Sequence, residues 1–517
     1  MADLFLSHDA ACNPSTRSSS VRTRSHSPRF VFALTAPFLV LICTILLQGC
    51  ASVSSVALSA SSQSAGAALN PSSASIQTWQ TLQFSVTGSA STSDCTWASS
   101  QPSVLASLGG GQFQGTQTGS ANVSVTCGSS TASANVVVSA QQQSAPITIT
   151  KGGTYSGNWV SNDPSTPAIT IKTSDPVVLQ DSVLSSRGTL IRIAGSGSGA
   201  NVTVQNVTAT ALDPQVSGSQ RGAFISATSV ASLVVRNCSV TGASFGVKLS
   251  SSQPSTLQIL NNSAANLEDR ASDGNGSFLA SRPAMGHFVL FDGVTAPNGA
   301  EIAWNKIVQS IGDTSIEDVI NLYNSQGAAA HPITVHDNYM EGASSPVYTS
   351  HYTGTALITD GPTSSGAQPT AYVVFENNQV VATAGTGVGI AAGHDIQATG
   401  NRVVSCGVTS SGSWYAWGAN AVVIWNYYKS AAFYNNTITA TSGGMVGPGS
   451  GSAATAYDLW VNSADASDPG ISAAGNTFTD PCLTSGSINL QAEEDERTFW
   501  TQKVATAAEL IGDQHQN

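Results

Sequence analysis

The stretch from Glu317 to Gly342, EDVINLYNSQGAAAHPITVHDNYMEG, alternates short apolar runs with turn residues. It reads as a strand (VINLY), a Gly/Ala turn, a second strand (ITVH), an Asn turn (DN) and a third strand beginning at Tyr339. The pattern recurs along the chain. VTVQN ends at Asn206, LVVRN at Asn237, LQILNN at Asn262, EIAWN at Asn305, ITVHDN at Asn338, VVFENN at Asn378, IQATGN at Asn401, AAFYNN at Asn436 and ISAAGN at Asn476, and VVLQD offers Asp181 one step earlier. Repeat length varies while phase persists. Two residues after each Asn the chain is mostly apolar (Ile307, Met340, Val380, Val403), and the residue between is mostly polar (Lys306, Gln379, Arg402), which is the period-two alternation of a strand. Strands this short cannot bury an apolar side alone and must stack on copies of themselves, so the pattern predicts a solenoid. Asn suits the turn because its short amide tolerates left-handed backbone angles and bonds neighbouring main chain; stacked in register, the Asn side chains would also bond one another.

On these residues the chain resembles the right-handed parallel β-helix proteins, the pectate-lyase-like superfold, over roughly residues 146–490. The resemblance implies an all-β architecture and no single activity, because that superfold carries lyases, hydrolases, epimerases, adhesins and phage tailspikes. Ahead of it, residues 76–140 hold short alternating segments (TLQFSVTG, DCTWASS, ANVSVTCG, ANVVVS) parted by Gly and Ser turns, the pattern of a small β-sandwich. With Trp97 two residues after Cys95, this block resembles bacterial immunoglobulin-like domains. Cys95 and Cys127 are expected to form a disulfide in an exported protein, the alternative being two buried thiols. Cys482 is a potential partner for Cys406, with no connectivity deducible, and Cys238 reads as a small buried hydrophobe. Residues 491–517 switch to a helix-like pattern that caps or trails the solenoid.

The N-terminus changes the setting. Arg17, Arg22, Arg24 and Arg29 precede an almost wholly apolar run from Phe30 to Leu47, a targeting segment spanning residues 1–49 and not part of the fold. Its end, Leu47-Gln48-Gly49-Cys50, resembles the lipobox of bacterial lipoproteins, which implies lipidation of Cys50; an uncleaved membrane anchor is the alternative. The resemblance implies a lipid-anchored envelope protein, and the absence of Asp after Cys50 favours the outer membrane. A Ser/Ala-rich tether is expected over residues 50–75. With 9% charged residues and a net charge of −12, the chain is a poor partner for nucleic acid and repels polyanions unless a cation or a local basic cluster intervenes. It is expected to be monomeric.

Candidate chemistry collects on the strand that opens each coil. Aligning FVLFDG, VINLYN, ALITDG, VGIAAG and AVVIWN gives a column of Asp292, Tyr323, Asp360, Ala392 and Trp425, while the residue preceding the strand supplies His287 and Asp318. Strict alternation cannot expose both columns, and the Asp/Tyr/Trp column is the one expected to face solvent. Coils about 4.8 Å apart would set Asp292 and Asp360 roughly 10 Å apart across Tyr323. Long segments border this strand: 266–286, 343–354 with His351, and 405–419 with Trp414, Tyr415 and Trp417. Such loops over a rigid sheet are where solenoids carry function. Each feature also has a structural reading: Asp360-Gly361 as a turn pair, His394-Asp395 as a turn cap, and the loop aromatics as packing against the sheet.

The motifs of polygalacturonases and pectate lyases are matched only in part. Gly393-His394-Asp395 lacks the final Gly of GHG, no adjacent Asp pair appears, and Arg282-Pro283 lacks the second Arg of RxPxxR, so neither activity carries over. Two classes of function follow. In one, the chain is a polysaccharide lyase or glycoside hydrolase with Asp292, Tyr323 and Asp360 catalytic and Trp414, Trp417, Trp425, His351 and Arg402 binding substrate. For a lyase, Arg402, Lys306, Tyr323 or His351 would be the base, with Ca2+ held by Asp292 and Asp360. In the other, it is a non-catalytic surface adhesin or glycan-binding protein.

Overall fold

The computed structural model describes residues 67–513 except 79, 89–94, 195–198, 251, 280–284, 345–352, 364–366, 416–419, 450–453 and 463–468. Three small sheets come first, one of them the pair Ala68–Asn70 and Ser85–Thr87; the other two are larger. One joins Ser73–Gln77, Ser130–Ser139, Gly119–Cys127 and Cys95–Ser99; the other joins Thr81–Gln83, Gln112–Gly115 and Leu105–Gly109. Alternate residues of both, among them Ile76, Phe84, Leu105, Phe113, Val123, Val125 and Val136, share one apolar core, which makes the block a sandwich. Cys95 lies directly opposite Cys127 and is disulfide-bonded to it. The block begins earlier than its composition suggests. Ala68–Asn70 and Ser73–Gln77 are already strands inside the stretch expected to be tether, because Leu69 and Ile76 reach the sandwich core from an otherwise Ser/Ala-rich segment.

From Gln143 onward the chain winds into a parallel β-helix. Each coil gives one strand to an eleven-stranded parallel sheet and, in the regular coils, two strands to a second, longer wound sheet. The coil that set the pattern is built as its sequence predicts: Asp318–Tyr323 in the first sheet, Ile333–His336 and Tyr339–Glu341 in the second. Val289, Ile320, Leu357, Val388 and Val422 stack inward in register, as do Phe291, Leu322, Thr359, Ile390 and Ile424. One continuous core runs from Ile149 to Met445.

The corner between the two strands of the second sheet divides labour between consecutive residues. Asn262, Asn305, Asn338, Asn378 and Asn401 are buried and form a ladder, each Nδ2 donating to Oδ1 of the next at 2.9–3.0 Å. Each Oδ1 also accepts a backbone N–H from the preceding coil. The left-handed backbone angle belongs to the residue before: Asn261, Trp304, Asp337, Asn377 and Gly400. Asn206 and Asn237 occupy that left-handed position, not the ladder, whose place in their coils is taken by Val207 and Cys238. Asn436 belongs to another turn, beside Ile396, and Thr441 takes its place before Asn476. One residue of phase separates an amide that tolerates the turn from one that bonds through it.

The C-terminal helix, Gln491–Ala507, lies along the flank of the solenoid rather than across its end. Trp500 packs on Tyr339, Glu496 pairs with Arg402, Arg497 with Glu341 and Lys503 with Asp337. Beyond it, Glu509 bonds Asn261 and Asp513 bonds Thr208. A second disulfide, Cys406–Cys482, closes the last coils beside Glu493, and Cys238 is buried as a free thiol.

Candidate functional site

The eleven-stranded sheet brings Ser250, Asp292, Tyr323 and Asp360 into one column, each partly exposed on its outer face. Alternation explains this: their strand neighbours Phe291, Leu322 and Thr359 point into the core. The next member is Ala391, not Ala392, because Thr359 aligns with Ile390; that coil is aligned one residue away from the VGIAAG reading. Trp425 follows, its backbone N–H donating to Ile390 O at 2.9 Å.

Asp360 is the most heavily partnered member. Tyr428 Oη donates to its Oδ1 at 2.6 Å and Gly361 N–H donates to the same oxygen at 2.8 Å, so the Asp-Gly turn and the site use one carboxylate. Asn321 Nδ2 lies 3.5 Å from Asp360 Oδ2 and 2.9 Å from Asp318 Oδ2. Asp292 has Ser250 Oγ at 3.5 Å from its Oδ2. Burial first, then the charges of Asp360, Asp292 and Glu317, raises the Tyr323 phenol above its usual range.

Behind the column lies a buried group that the outward-facing reading set aside. His287 and Asp318 are adjacent in register and nearly inaccessible, at 3% and 4% exposure. Glu317 precedes Asp318, with Oε2 3.6 Å from His287 Nε2, and Asp318 Oδ2 is 3.7 Å from His287 Nδ1. Burial, reinforced by neighbouring negative charge, pushes the carboxyls of Glu317 and Asp318 well above the ordinary carboxylate range. Burial raises Asp269, from the segment 266–286, to about 7, and drives the imidazole of His287 down to about 3. The signal for this group was in the sequence as two ionisable residues at the start of adjacent strands. Their burial was not, since it comes from the segments folded over those strand ends.

Aromatic side chains continue the face past Asp360. Trp425 meets Tyr427 and Trp460 edge-to-face at 4.6 and 5.2 Å, Tyr427 meets Tyr428 at 4.9 Å, and Trp460 is 40% exposed. Tyr427, Tyr428 and Trp460 were not singled out from the sequence: Tyr427 and Tyr428 lie in the turn after Trp425, past the end of the strand pattern, and Trp460 comes from the next coil, in register with Val423.

Other expected site residues lie elsewhere. Arg402 is on the second sheet, paired with Glu496 beneath the C-terminal helix, and Lys306 is in register with Tyr339 on that same flank. Trp414 is half-buried beside Cys406, Cys482 and Val446, the packing alternative for that loop. His394 bonds Asp395 at 2.7 Å and stacks on Tyr434 at 4.6 Å, a turn-capping arrangement. Cys50, His351 and Trp417 fall outside the described residues. No family model matches the chain, and no curated protein is similar to it at a significant level.

Proposed function

We propose that this protein acts on an extracellular or surface polysaccharide, cleaving glycosidic bonds hydrolytically on the outer face of the eleven-stranded sheet. The observation that carries the reading is the column Asp292–Tyr323–Asp360, continued by Tyr428, Tyr427, Trp425 and Trp460 on one rigid face. Hydrolysis of a glycoside needs two carboxyl groups on opposite sides of the bond, with separations of about 6.5–9.5 Å in inverting enzymes. Two rungs set the backbones of Asp292 and Asp360 roughly 10 Å apart, within reach of that range by side-chain rotation. Two donors converge on Asp360 Oδ1, which suits a carboxylate acting as base on water, and the role of acid is then assigned to Asp292, which has one long contact to Ser250. Tyr and Trp faces supply platforms for sugar rings.

A lyase is less well supported. Two of its four base candidates, Arg402 and Lys306, lie on the far flank, and Tyr323 separates the two carboxylates meant to share Ca2+, whose ligands must come within about 2.3–2.6 Å of the ion. In the cell the chain is proposed to be anchored through lipid on Cys50, with the sandwich as spacer.

The test is a polysaccharide panel assayed for new reducing ends and for absorbance of unsaturated products. Asp292→Asn and Asp360→Asn are expected to abolish turnover with folding intact, and Trp425→Ala to weaken binding. Full activity in both Asp variants would remove the site assignment; saturable glycan binding with no turnover by the wild type would favour the adhesin reading.

A further inference from the structure

We infer that His287, Glu317 and Asp318 form a binding site for one divalent transition-metal ion, set behind the exposed column. The three side chains each present a ligand atom within 4.8 Å of the others, His287 and Asp318 from adjacent strands in register and Glu317 from the residue before the second. Ligands at 2.0–2.2 Å from one ion lie up to about 4 Å apart, so small torsional adjustments close the set.

Carboxylates alone would not carry this, but the histidine does. His287 Nδ1 faces the backbone carbonyl of Asp318 at 3.2 Å, and a carbonyl can only accept, so that nitrogen bears the proton. In a neutral ring Nε2 then bears a lone pair. Nε2 lies 3.6 Å from Glu317 Oε2, beyond hydrogen-bond range, on a side chain 3% exposed. With Glu317 ionised, two acceptors face each other at that separation, an arrangement that a cation between them would satisfy. A histidine that donates one N–H to a carbonyl and turns its other nitrogen to an ion is the usual arrangement in metal sites. A second unsatisfied atom lies alongside: Asn321, 3% exposed, directs Nδ2 to Asp318 and leaves a buried Oδ1 with no partner. Two carboxylates balance the charge of a divalent ion. One imidazole with two carboxylates suits Zn2+ or Mn2+ better than Ca2+, which prefers an all-oxygen shell. Glu317, with its side chain 24% exposed, gives the ion a way in from the working face.

The competing arrangement holds the same groups together with protons. Protein stripped with a chelator and titrated calorimetrically with Zn2+, Mn2+ and Ca2+ separates the two without any substrate. One equivalent of Zn2+ or Mn2+ is expected to bind, with Ca2+ at least about tenfold weaker. Glu317→Gln and His287→Gln should each weaken binding more than about a hundredfold, the upper range for loss of an outer-shell partner. Asp292→Asn should bind the ion normally even where it abolishes turnover, so failure of the hydrolase reading and failure of the metal site are distinguishable. Absence of saturable binding, equal binding of Ca2+, or unchanged affinity in both variants would overturn the site. Should the variants fail to fold, the Cu2+-loaded wild type decides: electron paramagnetic resonance without nitrogen coupling also overturns it.

Discussion

At the scale of single residues, the buried Asn column shows how one side chain can serve two coils. Asn338 donates to Ile302 O and Asn378 Oδ1, and its own Oδ1 accepts from the backbone and side chain of Asn305. Replacing Asn338 or Asn378 by Ala strands several buried donors and acceptors at once. Each substitution is expected to cost about 1–3 kcal/mol, with the larger loss where relaxation is blocked by the coils on both sides. Denaturant midpoints unchanged in both variants would show that the ladder is dispensable. The neighbouring left-handed position is more permissive: Asn, Asp, Gly and even Trp304 occupy it. Its side chain takes no part in the ladder, and where the C-terminal segment passes it is used in other contacts, as in Asn261 with Glu509 and Asp337 with Lys503.

At the scale of elements, the C-terminal helix is held to the flank by charge as well as by Trp500. Glu493 accepts the N–H of Cys406 at 2.8 Å in a buried setting, and burial, the largest influence, raises its carboxyl to about 7. A carboxyl raised in the folded state binds its proton more tightly there than in the unfolded chain. Its contribution is therefore full below about pH 4.5 and is lost as pH rises to about 7. The size is on the order of 2 kcal/mol, from about 1.4 kcal/mol per pKa unit reduced for partial access to water. In Glu493→Gln, the fall in stability between pH 5 and 7.5 is expected to be shallower than in the wild type; parallel pH profiles of thermal unfolding would contradict it. Helix-like patterning indicates that such an element forms, but not where it docks. That depends on Glu341 and Asp337 from one coil and Arg402 from another, meeting Arg497, Lys503 and Glu496.

For the whole molecule, the proposed export and lipid anchoring would determine which substrates the working face can meet. Replacing Cys50 by Ala is expected to strand or release the precursor. If the variant still fractionates with membranes as mature protein, the anchor is of another kind. A chain of net charge −12 meets neutral or cationic glycans more readily than polyuronates. A metal ion behind Asp360 would lessen that bias locally, so metal loading and glycan preference are expected to change together.

The sequence by itself determined the solenoid, its strands, the outward column at Asp292, Tyr323 and Asp360, and the Cys95–Cys127 pair. The first three follow from short-range periodicity, which the backbone geometry of a strand enforces at every coil, and the pair from two cysteines in a small β block expected to be exported. Only the tertiary structure decided that Ala391 rather than Ala392 stands in the column and that the Asn ladder runs one residue after the left-handed turn. It also decided that His287, Glu317 and Asp318 are buried together and that Arg402 serves a helix far along the chain. Those outcomes hang on single-residue phase and on segments folding over strand ends, where burial and charge pairing are set by distant parts of the chain and local alternation carries no signal.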